Sequence, residues 1–569
     1  MEGDKMDKCP NCNKELKAEF TFCPFCGYAV NLSNGNVAEA KIIGDNLEDQ
    51  YNLGSFYYDG INVEQNFEKA AKYFLSAAKK GHVLAQCRLG SMYENGEGVE
   101  QSYEKAVGWY YTAAEQGSSE GQYRLGLLCL QGWILEDAKE SKAANILGAN
   151  VLDRFTLSKH VWTLEQDIEA AKEWLLKAAE QGHAEAQYCL AKTYEEDDEE
   201  NTEENQKKSY EWYLKAAKQG HVEAQMRIAY KYYYGLGVNK NNTKAIKWYC
   251  EAAKQGDATA QYNLGRLYEM AEDIPHDYSK ALKWYKDAAD QDYSDAQWRL
   301  GIMYREGKGV TVNFIKASRY FRKAAEQNHS YSQFELGLLY EKGNGVKQDY
   351  SKAVLWYEKA AEQNNVSALT NLGVLYYYGY GTKQDFELAA HYLHEAAELG
   401  NSDAQTNLGI LYETGKGVEQ SYTEAIAWYE KAIKQNNSKA QNCLGFLYEN
   451  GKGVERNYAK AVSWYRKSAK NNNPKAELNL GFMYSKGYGV KQNYIKAAEW
   501  YRKSAEHGDS YAQYNLGTLH ESGNGVKKDI KKALYWYQKS AEQGNEHAIK
   551  VLKDEKFKDL CSDKSDNGK

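Results

Sequence analysis

Four cysteines lie close together near the start of the chain, in CPNCNKELKAEFTFCPFCG, as Cys9-x2-Cys12 and Cys23-x2-Cys26. A pair spaced this way can aim both thiolates at one point. Two pairs supply the four soft ligands of a tetrahedral metal, for which Zn2+ is the natural occupant. With every position filled by cysteine, no coordination site is left for a substrate. The expected role is therefore one structural Zn2+ ion, whose binding (on the order of 10 kcal/mol) would hold so small a module together. Redox exchange would instead call for a single CxxC beside a βαβ pattern, not two flanked by Pro and Gly. The module mixes Lys5, Lys8, Lys14 and Lys17 with Glu2, Asp4, Asp7, Glu15 and Glu19, so it presents no basic face to nucleic acid. Contact with protein, or dimerisation, is the expectation.

A second set of chemistry-bearing residues is spread along the chain. YNLG occurs at Tyr51–Gly54, Tyr262–Gly265 and Tyr514–Gly517, with TNLG or LNLG at Thr370, Thr406 and Leu478. Leu and Gly there can be explained by packing, but a polar amide beside them cannot. Numbered from that Leu, position −1 holds Asn263, Asn371, Asn407, Asn479 and Asn515, with Arg at Arg227 and Arg299. Ten of thirteen such positions are Asn or Arg; Glu335, Cys189 and Cys443 break the row. Position −2 holds Tyr262, Trp298 and Phe334, and position +2 holds Arg266, Ile302, Leu338 and Phe482. An amide carries both donors and an acceptor and can satisfy a peptide backbone whatever its side chains. Arg adds a bidentate grip on carboxylates. The competing reading is structural: the aromatics would pack on the next helix, the Asn would bridge helices, and the Arg would pair with Glu269 or Glu341.

These residues are positioned by a repeat. Leu-Gly or a close variant recurs from Leu53 to Leu516, in steps of 36 residues from Ile228 onward, and Trp-Tyr or a variant follows at the same period, giving 13 units. Each unit reads as two helices. The first (A) is typified by Ala258–Met270, with Ala260, Leu264, Leu267 and Tyr268 on one buried stripe. The second (B) is typified by Tyr278–Asp290, with Ala281, Trp284, Ala288 and Ala289 facing inward. Gly265 in mid-helix, at a cost of about 1 kcal/mol against Ala, implies a close neighbour. Eight residues after each Trp-Tyr anchor stands Gly, Asn or Asp, the residues that tolerate a left-handed helix end. The A-to-B turn carries G-x-G-V, as in Gly415–Val418. It follows a helix, not a strand, so it reads as a turn and not as a phosphate loop.

The pattern A-x-A-Q-x-x-L-G-x-x-Y, then G-x-G-V, then Y-x-K-A-x-x-W-Y-x-K-A-A-E-Q-G resembles the Sel1-like repeat, a cousin of the tetratricopeptide repeat, from about Asp45 to Leu552. The resemblance implies an all-α fold, an α/α superhelical solenoid of about 13 two-helix repeats, with A helices lining a concave groove and a role as scaffold or adaptor. In the similar tetratricopeptide repeat, positions −2, −1 and +2 line the groove that holds an extended peptide. Independently, units that touch only their neighbours stack into an elongated solenoid. The four-cysteine module resembles the short zinc ribbons found at the front of many bacterial proteins.

The expected organisation is a ribbon at 1–30, a linker at 31–44, the solenoid at 45–552 and a polar tail at 553–569. The third unit is interrupted by 29 extra residues, about 131–165, too apolar for a disordered loop. Extra helix in the solenoid wall is the expectation, and a lid over the groove the alternative. Glu195–Glu204 (EEDDEENTEE) reads as a solvated acidic loop.

A net charge of −7 argues against a nucleic-acid footprint, and no apolar run approaches a bilayer span. Without an apolar leader, the expected location is cytoplasmic. Ser76-x-x-Lys79, Ser102-x-x-Lys105 and Ser565-Asp566-Asn567 match pieces of a β-lactamase signature but have no K-T-G partner; His82, His183, His221, His329, His507 and His547 sit at the B-to-A turn, and His391 and His394 share a helix face without a cysteine or carboxylate cluster for a metal. The reading is a non-enzymatic scaffold that binds a protein or peptide, with no nucleic acid and no membrane. The alternative is a zinc-ribbon regulator of nucleic acid or a transcription complex, with the solenoid as sensor.

Overall fold

Each sequence unit becomes one pair of packed helices. The computed structural model describes residues 47–61, 63–131, 168–196, 203–554 and 556–557, and short strands at 7–8, 15–16, 133–136, 156–158 and 161–164. Among the described residues are thirteen A–B pairs, from Leu47–Asp59 with Phe67–Lys79 to Ser510–Ser522 with Ile530–Glu542, followed by a short helix Glu546–Leu552. The chain divides into two compact units, Met1–Ala288 and Ala289–Lys569, built on the same plan. In each, a B helix packs against its own A helix and the next one.

The A-helix stripe is broader than the apolar pattern suggests. Ala260, Leu264 and Leu267 are buried, but so is Gln261. This glutamine position forms a polar ladder through the core. Gln333 Nε2 donates to the Ala325 carbonyl of the preceding B helix at 3.3 Å, and Gln363 at the end of its own B helix donates to Gln333 Oε1 at 2.8 Å. Gln86 and Gln116 do the same in the first unit, at 3.2 Å to Ala78 and 2.8 Å between the amides. At two rungs both members of the ladder change together. Leu369 stands with Leu399, and buried Glu477 pairs with His507 at 2.8 Å. Opposite Gln441 stands the shorter Asn471, and Gln441 Oε1 is left buried without a donor.

The B-helix anchor is the tyrosine, not the tryptophan. Tyr285 is fully buried and Trp284 only half-buried, reversing the expected order of the pair. The buried phenol reaches a carboxylate on its own A helix, Tyr285 to Glu269 at 2.7 Å and Tyr429 to Glu413 at 2.9 Å. Trp has a larger ring, and its N–H donor sits on the ring's side and not at its tip. It turns outward, beneath the lysine three residues on, as with Lys467 at 3.9 Å from the Trp464 ring centre. The mid-helix glycine serves the tyrosine. A Cβ on Gly265 would stand 2.7 Å from the Tyr285 ring, so the close neighbour inferred from sequence is this ring.

The turns are structural, as their sequence implies. The first glycine of G-x-G-V caps the A helix in the left-handed region (Gly415, φ 68°), and a Cβ on the second, Gly417, would meet the Phe386 carbonyl oxygen at 1.9 Å. At the end of the B helix the non-glycine members Asp292, Asn328, Asn364, Asn436 and Asn472 take φ of 55–65°.

Three segments depart from expectation. Within the insertion, Trp133–Glu136, Val161–Leu164 and Thr156–Ser158 form a three-stranded antiparallel sheet in that order, where extra helix was expected. The β-branched and aromatic residues of WILE and VWTL favour strand; the remainder of the insertion lies outside the described residues. The acidic run is not wholly loop. Glu195 and Glu196 end an A helix, and Glu203 and Glu204 open a B helix. Glu195 is 3.0 Å from Lys231, whose side chain is fully buried and needs that partner. Finally Phe557, in the segment read as tail, is 1% exposed and packs edge-on against Tyr537 at 5.5 Å, covering the last B helix.

Candidate partner-binding face

The A-helix face at positions −5, −2, +2 and +6 lies beside the main buried stripe, with the −2 aromatics Tyr262 and Phe334 packing one edge on their own B helix. Position −1 lies at the edge of that face, where one repeat meets the next. It comes against position +5 of the preceding A helix. In the first unit Arg227 Nη1 lies 3.8 Å from Glu195. In the second unit the charges are exchanged: Arg305 at +5 donates to Glu335 at −1. Glu335 therefore does not break the row but inverts one of its pairs. The sequence carries this signal at Arg305, where most repeats have Glu. Asn371 Nδ2 donates at 3.0 Å to Tyr357 Oη, itself bonded to Glu341 at 2.7 Å. Burial first, then the Glu341 hydrogen bond, holds the Tyr357 phenol far above its usual range, so it remains a donor.

The remaining candidates divide in the same way. Asn479 Nδ2 donates to Asn442 Oδ1 on the preceding A helix at 3.0 Å. Asn263, Asn407 and Asn515 are half-buried and make no hydrogen bond among the described residues. The Tyr262 ring stands 5.8 Å from Tyr285, and Phe334 5.7 Å from Tyr357, each on its own B helix. Trp298 packs between His329 and Tyr331, at 5.7 and 5.6 Å, with Arg299 4.6 Å over its ring. Trp298 Nε1 and Arg299 Nε are shielded and unpaired. The −2 aromatics thus pack with one edge and remain half-exposed on the other.

The +2 row is more continuous than the sequence reading recognised. In the second unit it runs Ile302, Leu338, Val374, Ile410, Phe446, Phe482, apolar in six successive repeats, and it passes from buried at Ile302 to exposed at Phe446 and Phe482. The periodicity was legible, but only the fold shows that the row emerges from the core, from Ile302 within it to the exposed Phe446 and Phe482.

The histidines at the B-to-A turn have structural work. His82 and His329 accept from the backbone N–H three residues on, at 3.2 Å, and their Nε2 atoms face Glu48 and Asp295. Ser102 of the S-x-x-K match caps a helix, accepting from Lys105 N–H at 3.3 Å. His391 is 3.5 Å from Glu395 and His394 packs against Trp428. No group of three metal-ligating side chains occurs among the described residues, and no helix there is long and apolar enough to cross a membrane. Near the start, Asp7–Lys8 pairs antiparallel with Glu15–Leu16. The intervening chain carries Cys9 and Cys12; like Cys23 and Cys26, they lie outside the described residues.

Comparison with known proteins agrees with this architecture. The Sel1 repeat model matches fourteen segments between residues 47 and 545, of which 119–144 and 162–183 flank the insertion. A zinc-ribbon domain model matches residues 8–30. The chain belongs to the Sel1-repeat family, with a zinc-ribbon match at its front. Among solved structures it is similar to c5321, a protective antigen present in uropathogenic Escherichia coli strains displaying an SLR fold. The two are 30% identical over 79% of this chain and 92% of that one, with a TM-score of 0.65. A Sel1 repeat protein from Oxalobacter formigenes is 32% identical over 54% of this chain and 90% of its own, with a TM-score of 0.45. A search of curated protein sequences found no match.

Proposed function

We propose that the chain is a non-catalytic scaffold whose A-helix face in the second unit binds a peptide or protein segment. The observation that carries this reading is the apolar +2 row flanked by half-exposed amides at Asn407 and Asn515 that the solenoid itself does not use. Apolar side chains of a partner would cover the row, and the amides would meet its backbone groups. Asn371 and Asn479 each commit one N–H to the wall, which leaves their carbonyl oxygens and second N–H for the partner. The ribbon would be held by one Zn2+ bound to Cys9, Cys12, Cys23 and Cys26: four thiols in two CxxC pairs fit a closed tetrahedral site, and the hairpin at 7–16 leads into the first pair. The expected setting is cytoplasmic, where such thiols stay reduced until metal binds.

The test is peptide selection on the full-length protein, followed by affinity measurement with Asn407→Ala/Ile410→Ser. Loss of roughly tenfold in affinity or more, with unchanged circular dichroism, supports the reading. Selected peptides that bind the variant equally would place the site elsewhere.

A further inference from the structure

The two A helices Ser438–Asn450 and Pro474–Lys486 carry the most exposed part of the +2 row, Phe446 at 39% and Phe482 at 36%. On these two helices every exposed charged residue is positive. Lys439 and Lys475 occupy position −5 of the two helices, Lys486 ends the second, and all three are exposed. Among the described residues none of the three forms an ion pair, whereas Lys452, at the turn below, lies 5.3 Å from the Phe446 ring. The two helices contain one carboxylate each, and both turn inward. Glu449 accepts from the buried Tyr465 hydroxyl at 2.6 Å, and Glu477, 1% exposed, is held by His507.

Lys439 and Lys475 also converge. Both act electrostatically on the Cys443 thiol, which sits at position −1 between the two helices. The Asn479–Asn442 amide pair joins the two helices and leaves the Asn442 N–H2 and the Asn479 carbonyl unused. The result is a local patch of two exposed aromatic rings, free amide groups and three unpaired ammonium groups, in a chain whose net charge is −7. Elsewhere on the same face of this unit the −5 row is Asp295, Tyr331, Ser367, Asp403 and Tyr511, so the positive sign belongs to these two repeats.

We infer that Phe446, Phe482, Lys439, Lys475 and Lys486 form a docking surface for an acidic peptide segment with two apolar anchors, its carboxylate side chains meeting the lysines while its apolar side chains cover the rings. This deepens the scaffold reading and rests on it. Charge complementarity selects the occupant. A basic segment would be repelled at three points, and a purely apolar one would leave three desolvated ammonium groups at its edge. A single nucleic-acid strand shares the affinity for lysine and aromatic rings. The peptide is favoured because the surrounding face is acidic at Asp403 and Asp295, which a phosphate chain passing along the row would meet.

The experiment is selection of random dodecapeptides displayed on phage with the full-length protein at low salt. Enriched sequences are then synthesised with blocked ends and titrated by fluorescence anisotropy. The expected result is enrichment of Asp and Glu next to Phe, Leu or Trp. Affinity should fall about tenfold or more in Lys439→Glu/Lys475→Glu and in Phe446→Ser/Phe482→Ser, and should weaken with added salt. All four positions are exposed, so both variants should keep the parent's thermal transition, which is measured alongside. Enrichment of basic or uncharged peptides, or acidic peptides indifferent to Lys439→Glu/Lys475→Glu, overturns the inference. So does an oligothymidine of the same length that competes the peptides away. If the selected peptides are lost with Asn407→Ala/Ile410→Ser but kept by both patch variants, the groove stands and the acidic specificity falls. If no peptide is enriched, both fall.

Discussion

At the scale of single residues, position −1 serves two masters, and the neighbour at +5 of the preceding repeat decides which one prevails. Beside Arg305, Glu335 completes a wall contact; beside Tyr377 and Ser485, Asn407 and Asn515 stay free. The Glu335 side chain is only 11% exposed, so removing its partner strands a carboxylate. Arg305→Ala should cost about 3 kcal/mol. Arg305→Glu should cost more, and Arg305→Glu/Glu335→Arg should recover most of the loss, as read from denaturant midpoints. A second residue-scale prediction concerns Cys443, whose thiol is pushed up to about 11, by burial first. Near pH 8 roughly one part in a thousand is thiolate, against about a quarter for an unperturbed thiol. Iodoacetamide should therefore modify native Cys443 about a hundredfold more slowly than the unfolded chain, and mass spectrometry of timed samples would show it.

At the scale of elements, helix ends are specified redundantly, which is why they were legible. The left-handed residue after each B helix is visible in sequence because only Gly, Asn and Asp occupy it, and Asn364 at φ 58° bears this out. Asn364→Gly should be neutral or slightly stabilising, whereas Asn364→Ala should cost about 1 kcal/mol, by thermal unfolding. The Tyr–Glu and Gln–Gln bonds between elements were not legible. Their members lie 16 and 30 residues apart, and nothing local distinguishes a buried Gln from a surface one.

One inter-repeat contact also has a defined pH response. A hydrogen bond from His183, reinforced by Arg124, holds the Glu120 carboxyl at about 2. A carboxyl depressed on folding adds stability above its unfolded value, and that stability is lost as pH falls from about 4.5 toward 2. Glu120→Gln should be less stable than the parent at neutral pH, and the two should converge through that window. Because Glu120 is 41% exposed, the difference should be small.

At the scale of the whole molecule, each repeat relies on its neighbours, so the ends need covers. Phe557 supplies one by closing over Tyr537. Deleting residues 553–569, or Phe557→Ala, should loosen the last one or two repeats while leaving repeats near Tyr357 as protected as before. Hydrogen exchange read by peptide would resolve the two regions. The periodicity alone gave no hint of this cap, because a single Phe in a charged segment has no repeat partner to mark it.

The amino-acid sequence by itself determined the repeat, its helix pairs, its turns and the family, because a pattern copied thirteen times averages away every local ambiguity. It also determined the four-cysteine module, where spacing and ligand type leave few alternatives. Tertiary structure decided which member of Trp-Tyr is buried, since that depends on which ring meets the mid-helix glycine of the facing A helix. It placed strands in the insertion, set Glu195 under a buried lysine and sorted the amides of the −1 row into wall and surface. All of these depend on side chains brought together across a repeat boundary, and one-dimensional periodicity does not record which residues meet there.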